Sequence, residues 1–150
     1  MEYLPLLRNN LTWGNEECKG VPIADIDALE TEIGKTFPKA YREFLELAGD
    51  YFIYLYAGDA SFELLGKIQN WLKKELSIYK QDLEKECWAF QTYDSEQFMI
   101  FYWDEGDDPP VYLCIPYEAH LGGNLIYKEY ASFTDYINED IRLARKEVIS

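Results

Sequence analysis

Between Pro22 and Gly49 the apolar positions fall into two short helical stripes. Ile26, Leu29 and Ile33 recur at spacings of three and four, the repeat that sets side chains on one face of a helix, and Gly34 can close that helix in the left-handed conformation. Thr36 and Phe37 run extended into Pro38, a residue that the first turn of a helix tolerates because its missing N–H would be unsatisfied there anyway. Tyr41, Phe44, Leu45 and Ala48 predict a second helix, stopped by Gly49. Residues 51–56 and 62–65 are aromatic or branched runs on either side of Ala57-Gly58-Asp59, and they predict short strands. A third stripe, Ile68, Trp71, Leu72, Leu76, Tyr79 and Leu83, backs onto Lys73, Lys74, Glu75, Lys80 and Asp82 and predicts an amphipathic helix within residues 67–85. Residues 1–21 show no period and read as an irregular segment.

After residue 86 the pattern changes to that of a meander. Strands are predicted at 87–93 and 97–103, joined by a turn at Asp94-Ser95-Glu96; residues 98–103 are continuously apolar, as in a strand covered on both faces. The run from Asp104 to Pro110 holds one glycine and two prolines and predicts a turn. Strands follow at 111–115 and 125–129. Ser132-Phe133-Thr134-Asp135 resembles a capping box, and Phe133, Tyr136, Ile137, Ile141 and Ala144 form the inward stripe of a last helix. Helices, then an antiparallel sheet, then a helix make an α+β chain with helices packed on one side of the sheet.

No repeat or linker divides the 150 residues, so one domain spans 1–150. With 48% hydrophobic and 17% aromatic residues it carries enough apolar surface to fold. No apolar run reaches the length of a membrane span, and the start, MEYLPLLRNN, lacks the pattern of an export signal, so a cytoplasmic location is expected. Cys18, Cys87 and Cys114, odd in number, are then expected to be reduced thiols. Zinc is disfavoured, since short C-x-x-C spacing is absent and His120 is the only histidine.

The net charge of −14 is unevenly spread. Residues 86–127 contain no Lys or Arg, yet acids there alternate with Trp, Tyr and Phe. Such a stretch repels phosphate, which disfavours nucleic acid as a direct ligand, and it attracts a basic protein while offering aromatic anchors. Solubility is the plainer role of an acid excess. The surface this reading selects is Tyr93, Glu96, Trp103, Asp104, Glu105, Asp107, Asp108 and Tyr112, centred on the turn from Asp104 to Asp108.

A catalytic reading finds little support. His120 has no spaced nucleophile, and the phosphate-loop, dinucleotide and zinc-protease motifs are absent. The carboxylates of Asp104, Glu105, Asp107 and Asp108 do not follow the calcium-loop pattern, so neither a metal nor a cofactor is expected.

The segment IADIDALETEIGKTFPKAYREFLELAGD, residues 23–50, with DDPPVYLCI at 107–115 and SFTDYI at 132–137, resembles the ordered motifs of the SUKH superfamily, which includes fungal cell-wall regulators of the Smi/Knr type and many bacterial immunity proteins. The resemblance implies a bent antiparallel sheet flanked by helices and a protein-binding role. Bacterial members typically neutralise a toxin, often a nuclease, encoded beside them. The leading expectation is therefore a non-catalytic immunity protein that covers the active or substrate surface of a basic toxin; the alternative is a regulatory or scaffold domain without a toxin. Gly34, Pro38, Phe44, Leu45, Pro109 and Phe133 match as cap, turn and core residues rather than as an interface. The helical insert at 67–85 and residues 1–21 depart from the pattern.

Overall fold

A computed structural model describes residues 2–149, with side chains to Lys146. The elements in chain order are α1 (Pro5–Arg8), β1 (Thr12–Trp13), β2 (Glu16–Glu17), α2 (Ile23–Ile33), α3 (Lys39–Ala48), a 3-10 turn (Phe62–Leu64) running into α4 (Leu65–Ile78), β3 (Cys87–Tyr93), β4 (Gln97–Tyr102), β5 (Val111–Cys114), α5 (Pro116–His120), β6 (Ile126–Tyr130) and α6 (Phe133–Ile149). Strands β3-β4-β5-β6 form an antiparallel sheet in sequence order. Its pairing slips between Ala89 and Gln91 and again between Val111 and Tyr112. An extra residue on one strand bends and twists a ladder at such points, so the α+β class and the curvature of the sheet agree with the sequence.

The core is an aromatic stack between α3, α6 and one face of the sheet. Tyr41 meets Phe101 at 5.3 Å and Phe133 at 5.5 Å, and Phe90 meets Phe133 at 5.3 Å and Tyr136 at 5.5 Å. The Trp88 indole N–H donates to the buried Tyr41 hydroxyl at 3.3 Å. The helices are not all on this side. Instead α4 buries Leu65, Ile68 and Leu72 and packs along β3.

This arrangement closes the outer edge of β3. The Gln69 side chain donates to the Ala89 carbonyl at 2.6 Å and accepts from the Ala89 N–H at 2.9 Å. Three residues nearer the β3–β4 turn, Asp59 and Thr92 exchange both backbone bonds at 2.9 Å. Among the described residues no strand lies beyond β6 at the other edge.

Two local expectations are corrected, and Gly49 ends α3 as expected. Residues 51–56 are not a strand: Phe52 and Tyr54 are buried while Tyr51 and Tyr56 are exposed, which mimics strand alternation, but pairing stops at a single bridge, Lys19 to Tyr51. Residues 62–65 are not a strand either: Phe62–Leu64 form the 3-10 turn and Leu65 begins α4, where the Phe62 N–H donates to the Gly49 carbonyl and turns the chain away. Gly49 itself is right-handed, φ −65°; a Cβ there would stand 2.8 Å from the Leu45 backbone, so the residue is small because the chain is crowded. Gly34 adopts the left-handed conformation, φ 69°, as the pattern requires.

Residues 1–21, without period in the sequence, are tied to the core. Leu4 and Leu7 are fully buried, and Glu43 on α3 accepts the N–H groups of Tyr3 and Leu4, both at 2.8 Å.

Candidate partner-binding surface

The residues singled out by composition separate into two groups. Trp103, Asp104, Glu105, Asp107, Asp108 and Tyr112 gather around the connection from β4 to β5, whereas Tyr93 and Glu96 sit at the β3–β4 turn. The six residues of β4 lie between, a span of roughly 20 Å at the rise of an extended strand. They do not form one surface.

Most of the acidic turn is engaged within the molecule. Asp108 Oδ1 accepts the Thr134 N–H at 2.9 Å and so caps α6, beside Ser132 Oγ, which accepts the Asp135 N–H at 3.0 Å. The Asp107 carbonyl accepts the Ala40 N–H at 2.9 Å in the first turn of α3. Glu105 Oε2 accepts from the Tyr112 hydroxyl at 3.1 Å. Burial, and next this bond to a carboxylate, push the Tyr112 hydroxyl up.

The stretch is free of bases along the chain but not in space. Lys85 lies 3.0 Å from Asp104, Lys35 lies 2.7 Å from Glu86, and Lys39 lies 3.9 Å from Asp107. Trp103 is half-buried: it stacks on Phe37 at 5.6 Å, with the Lys35 ammonium 5.8 Å from its ring. Charge at the turn is compensated in part, by Lys39 and Lys85 against four acids, and its largest aromatic packs on Phe37 with part of its surface left open.

At the opposite end the arrangement differs. Tyr93 is half-buried, its hydroxyl accepting from Gln91 Nε2 at 3.1 Å and pushed up to about 12, chiefly by burial and then by the charge of Asp140. Glu96, by contrast, is exposed next to the C-terminal part of α4. Burial raises the Glu75 carboxyl there, the neighbouring charge of Glu96 raises it further, and Lys74 offsets part of the effect. The two acids thus feel each other's charge.

On the neighbouring elements Ile78 of α4 is 54% exposed, and Tyr117 of α5 and the following Leu121 are 50% and 64% exposed. The Tyr79 ring joins them, 5.6 Å from Tyr117 and 5.3 Å from His120. Large apolar side chains grouped in the open mark interaction sites on soluble domains. This group was not selected from the sequence. Its signal was Ile78, an apolar residue off the buried stripe of Ile68, Leu72 and Leu76, but Tyr117 and Leu121 join it only through the fold.

Nucleophilic chemistry has no foothold in the thiols. Burial pushes Cys87 and Cys114 up to about 12, which keeps both neutral. Among the described residues, no three metal-ligating side chains converge, and no helix is long and apolar enough to cross a membrane.

Residues 20–139 match the model of the SMI1 / KNR4 family (SUKH-1), and the chain belongs to that family. Its members are immunity or regulatory domains that bind partner proteins. No individual curated protein matches the chain.

Proposed function

We propose that this SUKH-1 domain is a non-catalytic immunity protein that neutralises a cognate bacterial toxin by covering a basic active or substrate-binding surface. The observation that supports the reading most directly is the contact of Tyr79 with Tyr117, which joins α4 to α5 and brings in exposed Ile78, Tyr117 and Leu121, on the side where the charge of Glu96 acts on Glu75. A partner Lys or Arg placed between the two acids relieves their mutual repulsion, while the apolar side chains exclude water around the new pair. The charge of −14 accelerates the approach of a basic partner.

A second surface has its own support. At the acidic turn, Asp104 and Asp107 keep side chains 62% and 55% exposed despite their lysine neighbours. That turn remains the alternative docking site, with Trp103 and Tyr112 as its aromatics.

The test takes the toxin-like domain encoded beside this gene and measures its affinity for the full chain by calorimetry at two salt concentrations. Leu121→Asp and Glu75→Gln with Glu96→Gln are expected to weaken binding by at least tenfold with unchanged thermal stability, and the double substitution to flatten the salt dependence. Loss of affinity confined to Asp104→Asn with Asp107→Asn moves the site to the acidic turn. An adjacent toxin that does not bind, or a gene with no toxin beside it, favours the regulatory role.

A further inference from the structure

We propose a second binding site: the groove between α4 and the start of β3 takes a small amphipathic molecule with a flat apolar body and one negative charge. The groove encloses about 500 Å³, within the range of small-molecule sites. It is lined by Leu72 and Leu76 of α4, Leu83 of the following loop and the two indoles Trp88 and Trp103. Of these, Trp103 is half-buried and offers part of its ring to an occupant. The Cys87 thiol beside them is neutral and adds only apolar contact.

Charge selects the class of ligand. Three lysines, Lys35, Lys73 and Lys85, and one carboxylate, Glu86, line the groove of a chain that is otherwise strongly acidic. Lys35 is held by Glu86 at 2.7 Å and Lys85 by Asp104 at 3.0 Å, but Lys73 makes no ion pair among the described residues. One uncompensated ammonium at the rim of an apolar slot fits one carboxylate or sulfonate on an aromatic body. The Gln69 amide, also in the groove, is fully used on Ala89 and Leu65 and contributes no specificity.

The experiment uses the ¹⁵N-labelled full chain, with 2-naphthoate and its neutral counterpart 2-naphthamide as probes. The indole N–H signals of Trp88 and Trp103 are assigned through Trp103→Phe. Saturable one-to-one shifts of the Trp103 signal by naphthoate, with a Kd below about 1 mM for so small a molecule, are expected. Naphthamide, or naphthoate with Lys73→Glu, should bind at least tenfold more weakly, whereas Lys73→Arg and Lys128→Glu on β6 should leave affinity unchanged. Equal binding of the two probes, or no effect of Lys73→Glu, overturns the proposal. So does tighter binding of the acidic peptide Ac-Asp-Phe-Asp-Leu-NH₂, which makes the occupant a protein segment, or a shift of the indole signals on dilution without ligand, which makes it a second copy of the chain.

Discussion

Asp108 and Thr134 are joined by a carboxylate-to-backbone hydrogen bond of 2.9 Å across 26 residues of sequence. One acid of the turn that invited a partner is thereby the cap of the last helix. It satisfies a donor that the helix cannot use internally and places negative charge at the positive end of the helix dipole. Asp108→Ala is expected to cost about 1–2 kcal/mol in chemical denaturation and to leave the affinity of the folded protein for its partner unchanged.

Asp140 makes stability depend on pH. It is 5% exposed, its Oδ2 has no hydrogen-bond partner, and its carboxyl is pushed up to about 7, chiefly by burial, with the neighbouring Tyr136 hydroxyl opposing and the charge of Glu139 adding. Tyr93, Tyr130 and Tyr136 face it, and the Tyr136 hydroxyl donates to Gln91. The folded state therefore holds its proton more tightly than the unfolded chain, so stability falls as pH rises from about 4 to about 7 and then levels off. Asp140→Asn, which removes the ionisation, should raise the melting temperature at pH 8, worth roughly 2–4 kcal/mol, and change little at pH 4.

Lys80 closes α4 at φ 54°, and the Gln81 N–H returns to the Leu76 carbonyl at 2.8 Å. This is a left-handed helix end in which glycine is the unstrained residue. Lys80→Gly is expected to stabilise the domain by about 0.5–1 kcal/mol, read as a shift of the denaturation midpoint at constant slope.

Glu43 holds the first residues in place through two backbone N–H groups and lies 3.6 Å from Arg8. Glu43→Ala leaves those buried donors unpaired and should cost about 2–4 kcal/mol. Hydrogen exchange should accelerate first in residues 3–10, ahead of the sheet.

The long elements were legible because their periods are strong: Ile26 with Leu29 and Ile33 on α2, Tyr41 with Phe44, Leu45 and Ala48 on α3, and Phe133 with Tyr136, Ile137 and Ile141 on α6 are buried or half-buried in these positions. Residues 51–56 misled because alternating burial reports which side chains point inward, not whether the backbone has a ladder to join. The N-terminal segment escaped because elements of two to four residues are too short to show a period. The candidate surface was least legible of all. Lys39 and Lys85 reach the acidic turn, and Lys35 reaches Glu86, from outside the base-free stretch, and Tyr79 meets Tyr117 from a separate segment.

The side chain of Gln69 and the backbone of Asp59 also set the direction in which this protein can misassemble. With the edge of β3 occupied, a foreign strand can extend the sheet only beside β6, where exposed Lys128 and Glu129 interrupt the apolar face. The charged pair on β6 thus guards the molecule against fibril growth from that side, and neutralising both residues removes the guard without touching the core.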